Sequence, residues 1–308
     1  MSPRAVVFGY HDVGDRCLRV LISRGVDVPL VVTHKPDPEE TPWFESVART
    51  AQEYGIPVLT PDDPEQAGLD RVLGEIRPDF LFSFYYRRML GPTLLQHARR
   101  AALNMHGSLL PHYRGRAPVN WAILRGERET GATLHYMAAR ADAGDIVDQL
   151  AVPILQDDDA RQVMSKVTTA AEIVLARSLP ALIEGNAPRR PQDLTRGEYF
   201  GRRKPEDGRI DWTGSAVDIH NLVRAVAPPF PGAFMDAHGK RWWIHRTRIV
   251  PNKVLAAGMP RIYGEDGKCF IACHDGSVLE LLAGATVEGM LDLTALSSEL
   301  SRKTLSLR

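Results

Sequence analysis

The chain has 308 residues, 44% of them hydrophobic and 25% charged, which is the composition of an ordinary globular protein of one large or two modest domains. Lys plus Arg and Asp plus Glu each total 38, so the formal net charge is zero and the basic excess of a protein that lives on phosphate backbones is missing. No apolar run approaches the ~18 residues of a spanning helix, the N-terminus has no signal-peptide layout, and the three cysteines are an odd number in a chain too long for a disulfide scaffold, so a cytoplasmic protein is expected.

Residues 5–10 form a near-continuous apolar run, as in a strand buried on both faces. Cys17, Leu18, Val20, Leu21 and Ile22 recur at helical spacing up to Gly25. Residues 28–33 read as a second strand. Thr41 and Pro42 read as an N-cap and a first-turn proline, with Gly55 ending that helix. Residues 56–59, 79–85 and 101–106 follow as strands, with 61–74 and 91–98 filling the intervals. The alternation predicts a mainly parallel sheet covered by helices. Residues 131–138 and 146–154 are further strands, and 158–183 is a long amphipathic helix stopped by Gly185 and Asn186. Residues 186–207, rich in Pro, Arg and Gly, read as a linker. A short helix at 216–225, a proline-rich turn at 228–232 and strand-like segments at 242–250, 269–273 and 278–282 suggest a small β-barrel or sheet.

Several chemistries lack their signatures. The turn from Gly9 to Gly14 is not a G-x-G-x-x-G, which argues against a dinucleotide. Neither a phosphate-binding G-x-x-x-x-G-K-[ST] nor a G-x-S-x-G elbow is found. The ten histidines are scattered, with no metal-ligand spacing. Cys269 and Cys273, four apart in a strand, stand ~13 Å apart and read as small core residues.

The densest group of unusual polar residues spans 104–118, directly after an apolar strand. Asn104 and His106 share a face if the strand persists, and they emerge at its carboxyl end, where open α/β sheets place ligands. An amide N–H can stabilise an oxyanion, and an imidazole can move a proton near neutral pH. Asp142 and Asp145 are the nearest carboxylates to orient it. A lone histidine at a strand end is more often a hydrogen-bonded structural residue, so spacing alone leaves the matter open.

The run 104–111, continued by 113–118 and 141–144, resembles the folate-dependent formyltransferase family, which includes methionyl-tRNA, glycinamide ribonucleotide and sugar N-formyltransferases. Similar stretches at 5–12, 83–87, 131–135, 200–203, 205–207 and 222–234 carry the likeness over nearly the whole chain. It implies an α/β fold: a Rossmann-like formyltransferase catalytic domain with a mainly parallel sheet over residues 1–203, and a smaller OB-like β-barrel domain over residues 204–308. It implies N10-formyltetrahydrofolate as formyl donor, neither metal nor NAD, and Asn104, His106 and Asp142 as the catalytic trio. The donor-site motifs map onto Arg88, Met89, Leu90, Arg116, Ala138, Ala139, Arg140, Ala141 and Asp142. Arg88 replaces a histidine of the most similar pattern, so only backbone contacts carry over there.

The branch most resembled formylates the 4-amine of UDP-4-amino-4-deoxy-L-arabinose, a step of lipid A modification associated with polymyxin resistance. In that branch a decarboxylase half accompanies the formyltransferase; here it would belong to a partner chain or to a longer protein of which this is a domain. Other acceptors of the family are dTDP- or GDP-linked amino sugars and methionyl-tRNA, and a non-catalytic nucleotide-sugar or folate binding protein is a further alternative. The loop at 34–42 is net acidic with its histidine neutral, a poor surface for a tRNA stem. The expected partners are therefore small molecules, with no nucleic acid and no membrane insertion. Lys240 to Arg246 reads as a strand with alternating solvated charges. Tyr85, Tyr86 and the 228–232 turn read either as pocket walls or as core.

Overall fold

The computed structural model describes residues 2–35, 43–65, 68–237 and 239–307. In chain order they form β1 (Arg4–Gly9), α1 (His11–Ser23), β2 (Asp27–Val32), α2 (Val47–Glu53), β3 (Val58–Leu59), α3 (Leu69–Ile76), β4 (Phe80–Phe84), α4 (Pro92–Leu95), β5 (Ala101–His106), β6 (Arg114–Gly115), α5 (Pro118–Leu124), β7 (Glu129–Tyr136), β8 (Ile146–Pro153), α6 (Ala160–Glu184) and β9 (Tyr199–Phe200). There follow α7 (Ala216–Ala225), β10 (Ala233–Ala237), β11 (Lys240–Val254), β12 (Arg261–Glu265), β13 (Lys268–Ala272), β14 (Ser277–Thr286), β15 (Gly289–Met290), α8 (Leu293–Leu300) and β16 (Leu305–Ser306). The chain divides into two compact units, one of Met1–Pro118, Thr130–Val152 and Ser165–Phe200, the other of Val119–Glu129, Pro153–Met164 and Gly201–Arg308.

The first unit holds a seven-stranded sheet in the order β3-β2-β1-β4-β5-β7-β8. It is parallel from β3 to β5, and β7 runs antiparallel to β5. The central strands are apolar throughout because both faces are covered; Val6, Val7, Phe8, Leu81, Phe82 and Phe84 are all fully buried. Phe80, Phe82 and Phe84, two residues apart, stack along one face with centroid separations of 5.7 and 5.4 Å. Each such buried ring contributes roughly 1.5–3 kcal/mol. On the other face Val6, Phe8 and Leu81 pack with Leu69, Leu73, Leu94 and Tyr86. The carboxyl ends of β1 to β5 lie along one edge, and the strand order reverses between β1 and β4, the position at which such sheets bind ligands.

The second unit is an antiparallel half-barrel sheet in the order β10-β11-β14-β13-β12-β16, with β15 on β14. The basic segment 240–246 opens strand β11, as expected, but its charges do not alternate strictly: the register shifts between Ile244 and Arg246, which leaves Ile244 and Thr247 buried and Arg241 and Arg246 exposed, and Arg241 pairs with Asp236 at 3.1 Å. All three cysteines are free and buried, and burial pushes the Cys269 and Cys273 thiols up to about 11. Among the described residues no helix is long and apolar enough to cross a membrane.

Several local expectations need correction. The helix expected from Thr41 onward starts as α2, where the Ser46 hydroxyl accepts the Arg49 N–H. Thr41, Pro42 and most of the acidic loop lie outside the described residues. Within the stretch 61–74, helix α3 begins at Leu69, and residues 66 and 67 lie outside the described residues. Residues 186–200 are not a linker: Arg190 exchanges backbone hydrogen bonds with Ile146, and β9 pairs in parallel with β6.

Candidate active site

Strand β5 ends in His106, and the two-residue period puts Asn104 and His106 on one face at the carboxyl edge of the sheet. The antiparallel register of β7 sets His135 opposite Asn104. Asp142 comes from the loop between β7 and β8. Its Oδ1 lies 3.6 Å from His106 Nδ1, 3.7 Å from His135 Nε2 and 3.5 Å from Asn104 Nδ2. Its Oδ2 accepts the Gly115 N–H at 2.8 Å. The structure thus brings Asn104, His106 and Asp142 together, and of the two carboxylates left open Asp142 is the one that faces the imidazole.

His106 Nε2 lies 2.8 Å from the Tyr113 carbonyl oxygen. A carbonyl only accepts, so Nε2 carries a hydrogen and Nδ1 faces the carboxylate. Burial by itself would raise the Asp142 carboxyl. Imidazoles are cationic over the acid range in which a carboxyl titrates, and the charge of His106, the ring of His135 and the Gly115 N–H outweigh burial, holding Asp142 well below the usual carboxylate range. The site can therefore keep an anion beside an imidazole in a setting largely closed to water, an arrangement suited to moving a proton.

The loops that make this geometry adopt a costly backbone. Asp142, Tyr113 and Ala117 have φ of 53°, 57° and 52°, a region that costs a residue with a Cβ about 1–2 kcal/mol and that clusters at functional sites. Gly115 has φ 99°, and a Cβ there would lie 2.2 Å from the Phe200 carbonyl oxygen. Only glycine lets β6 press against β9 while its N–H points at Asp142. Residues 190–200 act as a strap across these loops. Gln192 Nε2 donates to the carbonyls of Asp142 at 3.0 Å and Gly144 at 2.6 Å. Arg114, almost fully buried, donates to those of Leu194 at 3.1 Å and Gly197 at 2.5 Å.

The expected donor-site residues divide by exposure. Arg88 and Met89 are exposed, whereas Leu90 is buried in the core and can offer only its backbone. Arg116 is exposed, and its guanidinium donates to the Arg87 carbonyl at 3.3 Å. Ala138, Ala139 and Arg140 are exposed, with Ala141 and Asp142 half-buried. Among the described residues the N–H groups of 138–142 donate no hydrogen bond, which leaves a peptide edge with bonds to offer. Of the two tyrosines, Tyr86 belongs to the core, edge-on to Phe8 and stacked on His34. Tyr85 borders the site: a Cβ on Gly107 would lie 1.9 Å from its hydroxyl. Among the described residues no group of three His, Cys, Asp or Glu is arranged to hold a metal.

Sequence reasoning passed over His135, Gln192 and Arg114. Alternation along 131–138 puts His135 on one face, but its register against β5 is not written in the sequence.

Residues 4–179 match the formyl transferase family, and residues 202–285 match the formyl transferase C-terminal domain. The chain belongs to the formyltransferase family. In fold this formyltransferase is similar to the N-formyltransferase from Helicobacter canadensis in complex with folinic acid and dTDP-3-aminofucose, at 21% identity, covering 91% of this chain and 99% of that one with a TM-score of 0.73. It is also similar to a 4-N formyltransferase from Francisella tularensis, at 21% identity over 78% of this chain and 95% of that one, TM-score 0.63. A third similar structure is HypX from Aquifex aeolicus in complex with tetrahydrofolic acid, at 18% identity over 98% of this chain and 48% of that one, TM-score 0.64. At these identities the likeness is one of fold.

Proposed function

We propose that this formyltransferase moves a formyl group from N10-formyltetrahydrofolate to the amine of a nucleotide-linked amino sugar, with UDP-4-amino-4-deoxy-L-arabinose, the acceptor of the formyltransferase domain of ArnA, as its substrate. The observation that carries the formyl-transfer chemistry is the convergence of Asn104 and His106 on Asp142, with Asn104 Nδ2 3.5 Å and His106 Nδ1 3.6 Å from Asp142 Oδ1, at the carboxyl edge of the sheet. The folate compounds and the amino sugar bound by the similar proteins support it. The dTDP-linked sugar of the Helicobacter canadensis enzyme makes such acceptors the second reading.

Residues 1–203 would carry the reaction, with 204–308 as the OB-like domain. The unused N–H groups of 138–142 suit the hydrogen-bonding edge of a pterin, Arg116 suits a carboxylate of a folate, and Arg88 would contribute its backbone. Met89 and Leu90 would contribute backbone contacts. In the reaction, the neutral sugar amine attacks the formyl carbon and a C–N bond forms. Asn104 donates an N–H to the oxyanion that develops on the formyl oxygen. His106 Nδ1 takes the proton released by the amine, and the Asp142 carboxylate stabilises the resulting imidazolium. The same proton passes to N10 as the C–N10 bond breaks, giving the formamide and tetrahydrofolate.

Tetrahydrofolate release in parallel reactions tests this reading. Turnover with the UDP-linked pentose, and not with a dTDP-linked 4-amino sugar or methionyl-tRNA, supports the acceptor. Turnover with another acceptor alone retains the chemistry and discards the UDP-pentose. Folate binding without turnover on any amine overturns the proposal. Asn104→Ala should lower kcat by about 10²–10³ and His106→Ala by about 10²–10⁴.

A further inference from the structure

We infer that His135 is a positioning residue which, as a neutral imidazole protonated on Nδ1, turns the Asn104 amide so that one of its N–H groups is free to meet the developing oxyanion. The inference rests on the formyl-transfer reading above and deepens it. His135 is buried in β7 directly across from Asn104. Its Nδ1 lies 2.9 Å from the Tyr136 carbonyl oxygen, which can only accept, so Nδ1 carries the hydrogen. On a neutral ring, Nε2 is then a bare acceptor, and it lies 3.0 Å from Asn104 Nδ2. The amide must present its NH2 to the ring; turned over, its oxygen would face a nitrogen lone pair. One N–H of Asn104 is thereby spent on His135. The planar amide sets the direction of the other, whose nearest partner, Asp142 Oδ1, stands at 3.5 Å, the limit of a hydrogen bond. That second N–H is held back from a strong partner and remains available to the substrate. Without the ring, the amide is free to present its oxygen, which repels an oxyanion.

The test uses His135→Leu, which removes the acceptor, and His135→Gln, whose Oε1 replaces Nε2 as acceptor. In tetrahydrofolate-release assays, His135→Leu should lower kcat about 10–100-fold, less than the loss of the donor itself, with both KM values within about threefold. His135→Gln should restore most of the loss. In an Asn104→Ala background His135→Leu should cost nothing further, because both act through one group. The 15N spectrum of the His135 ring should show a neutral imidazole protonated on Nδ1. A ring protonated on Nε2 overturns the inference, as does a His135→Leu effect that persists in the Asn104→Ala background or falls on KM alone. If Asn104→Ala itself leaves kcat intact, the underlying reading of the site fails instead. Unfolding by denaturant, followed for each variant, separates loss of fold from loss of orientation; His135→Gln carries the test if His135→Leu does not fold.

Discussion

Replacing Asp142 by asparagine keeps the shape of the side chain and deletes its charge. The new amide oxygen can still accept the Gly115 N–H, now at 2.8 Å from Oδ2, so the loop keeps its anchor. What disappears is the anion 3.6 Å from His106 Nδ1. A unit charge pair near 4 Å is worth about 4 kcal/mol at an effective dielectric of about 20. If the imidazolium forms on the way to the transition state, losing that partner corresponds to a rate factor of about 10³. The assay is tetrahydrofolate release with both substrates saturating, where kcat for Asp142→Asn should fall by about 10³ and both KM values should stay within about threefold. A kcat within about tenfold of the parent enzyme, with fold intact, refutes the claim that the carboxylate stabilises a charge formed on His106 during the reaction.

Gly115→Ala should destabilise the fold by about 1–3 kcal/mol in denaturant unfolding and lower kcat, since its Cβ would meet the Phe200 carbonyl at 2.2 Å. Tyr85→Phe should leave stability unchanged or raise it, because the hydroxyl is buried with no hydrogen-bond partner among the described residues. Asp142 also makes stability depend on acid: its carboxyl is depressed in the fold, so its contribution is complete above the unfolded value of about 3.9 and is lost as pH falls below that toward the folded value. Unfolding midpoints of Asp142→Asn should accordingly decline less steeply below about pH 4 than those of the parent. Native-state alkylation of Cys269 and Cys273 at neutral pH should be slow and should accelerate on unfolding, because burial holds both thiols protonated.

The parts of the fold legible in the sequence are those in which one strong periodicity acts over many residues. Strand β5 and helix α7 fall where the pattern puts them, and the all-apolar runs at β1 and β4 announce a sheet covered on both faces. Asn104 and His106 were legible for the same reason, since a two-residue period at a strand end fixes a shared face. The companions of that pair were not. His135 depends on strand register, and Gln192 and Arg114 each act through a pair of contacts to backbone carbonyls across long stretches of chain. Two-residue strands such as β6 and β9 have no period to read. The Pro, Arg and Gly content that suggested a linker at 186–207 also suits an irregular strap whose hydrogen bonds are made to other segments.

The pairing of β6 with β9 has a consequence for synthesis on the ribosome. When α6 has emerged, the exposed nascent chain already contains Asn104, His106, His135 and Asp142, yet the strand that braces Gly115 has still to emerge. At about 5–20 residues per second, Gly115 waits on the order of ten seconds for Phe200. A fragment ending with α6 would contain every proposed catalytic side chain and lack the partner that aims a backbone N–H at the carboxylate. A split-protein reporter built on this scaffold should therefore keep Gly115 and Phe200 on the same fragment.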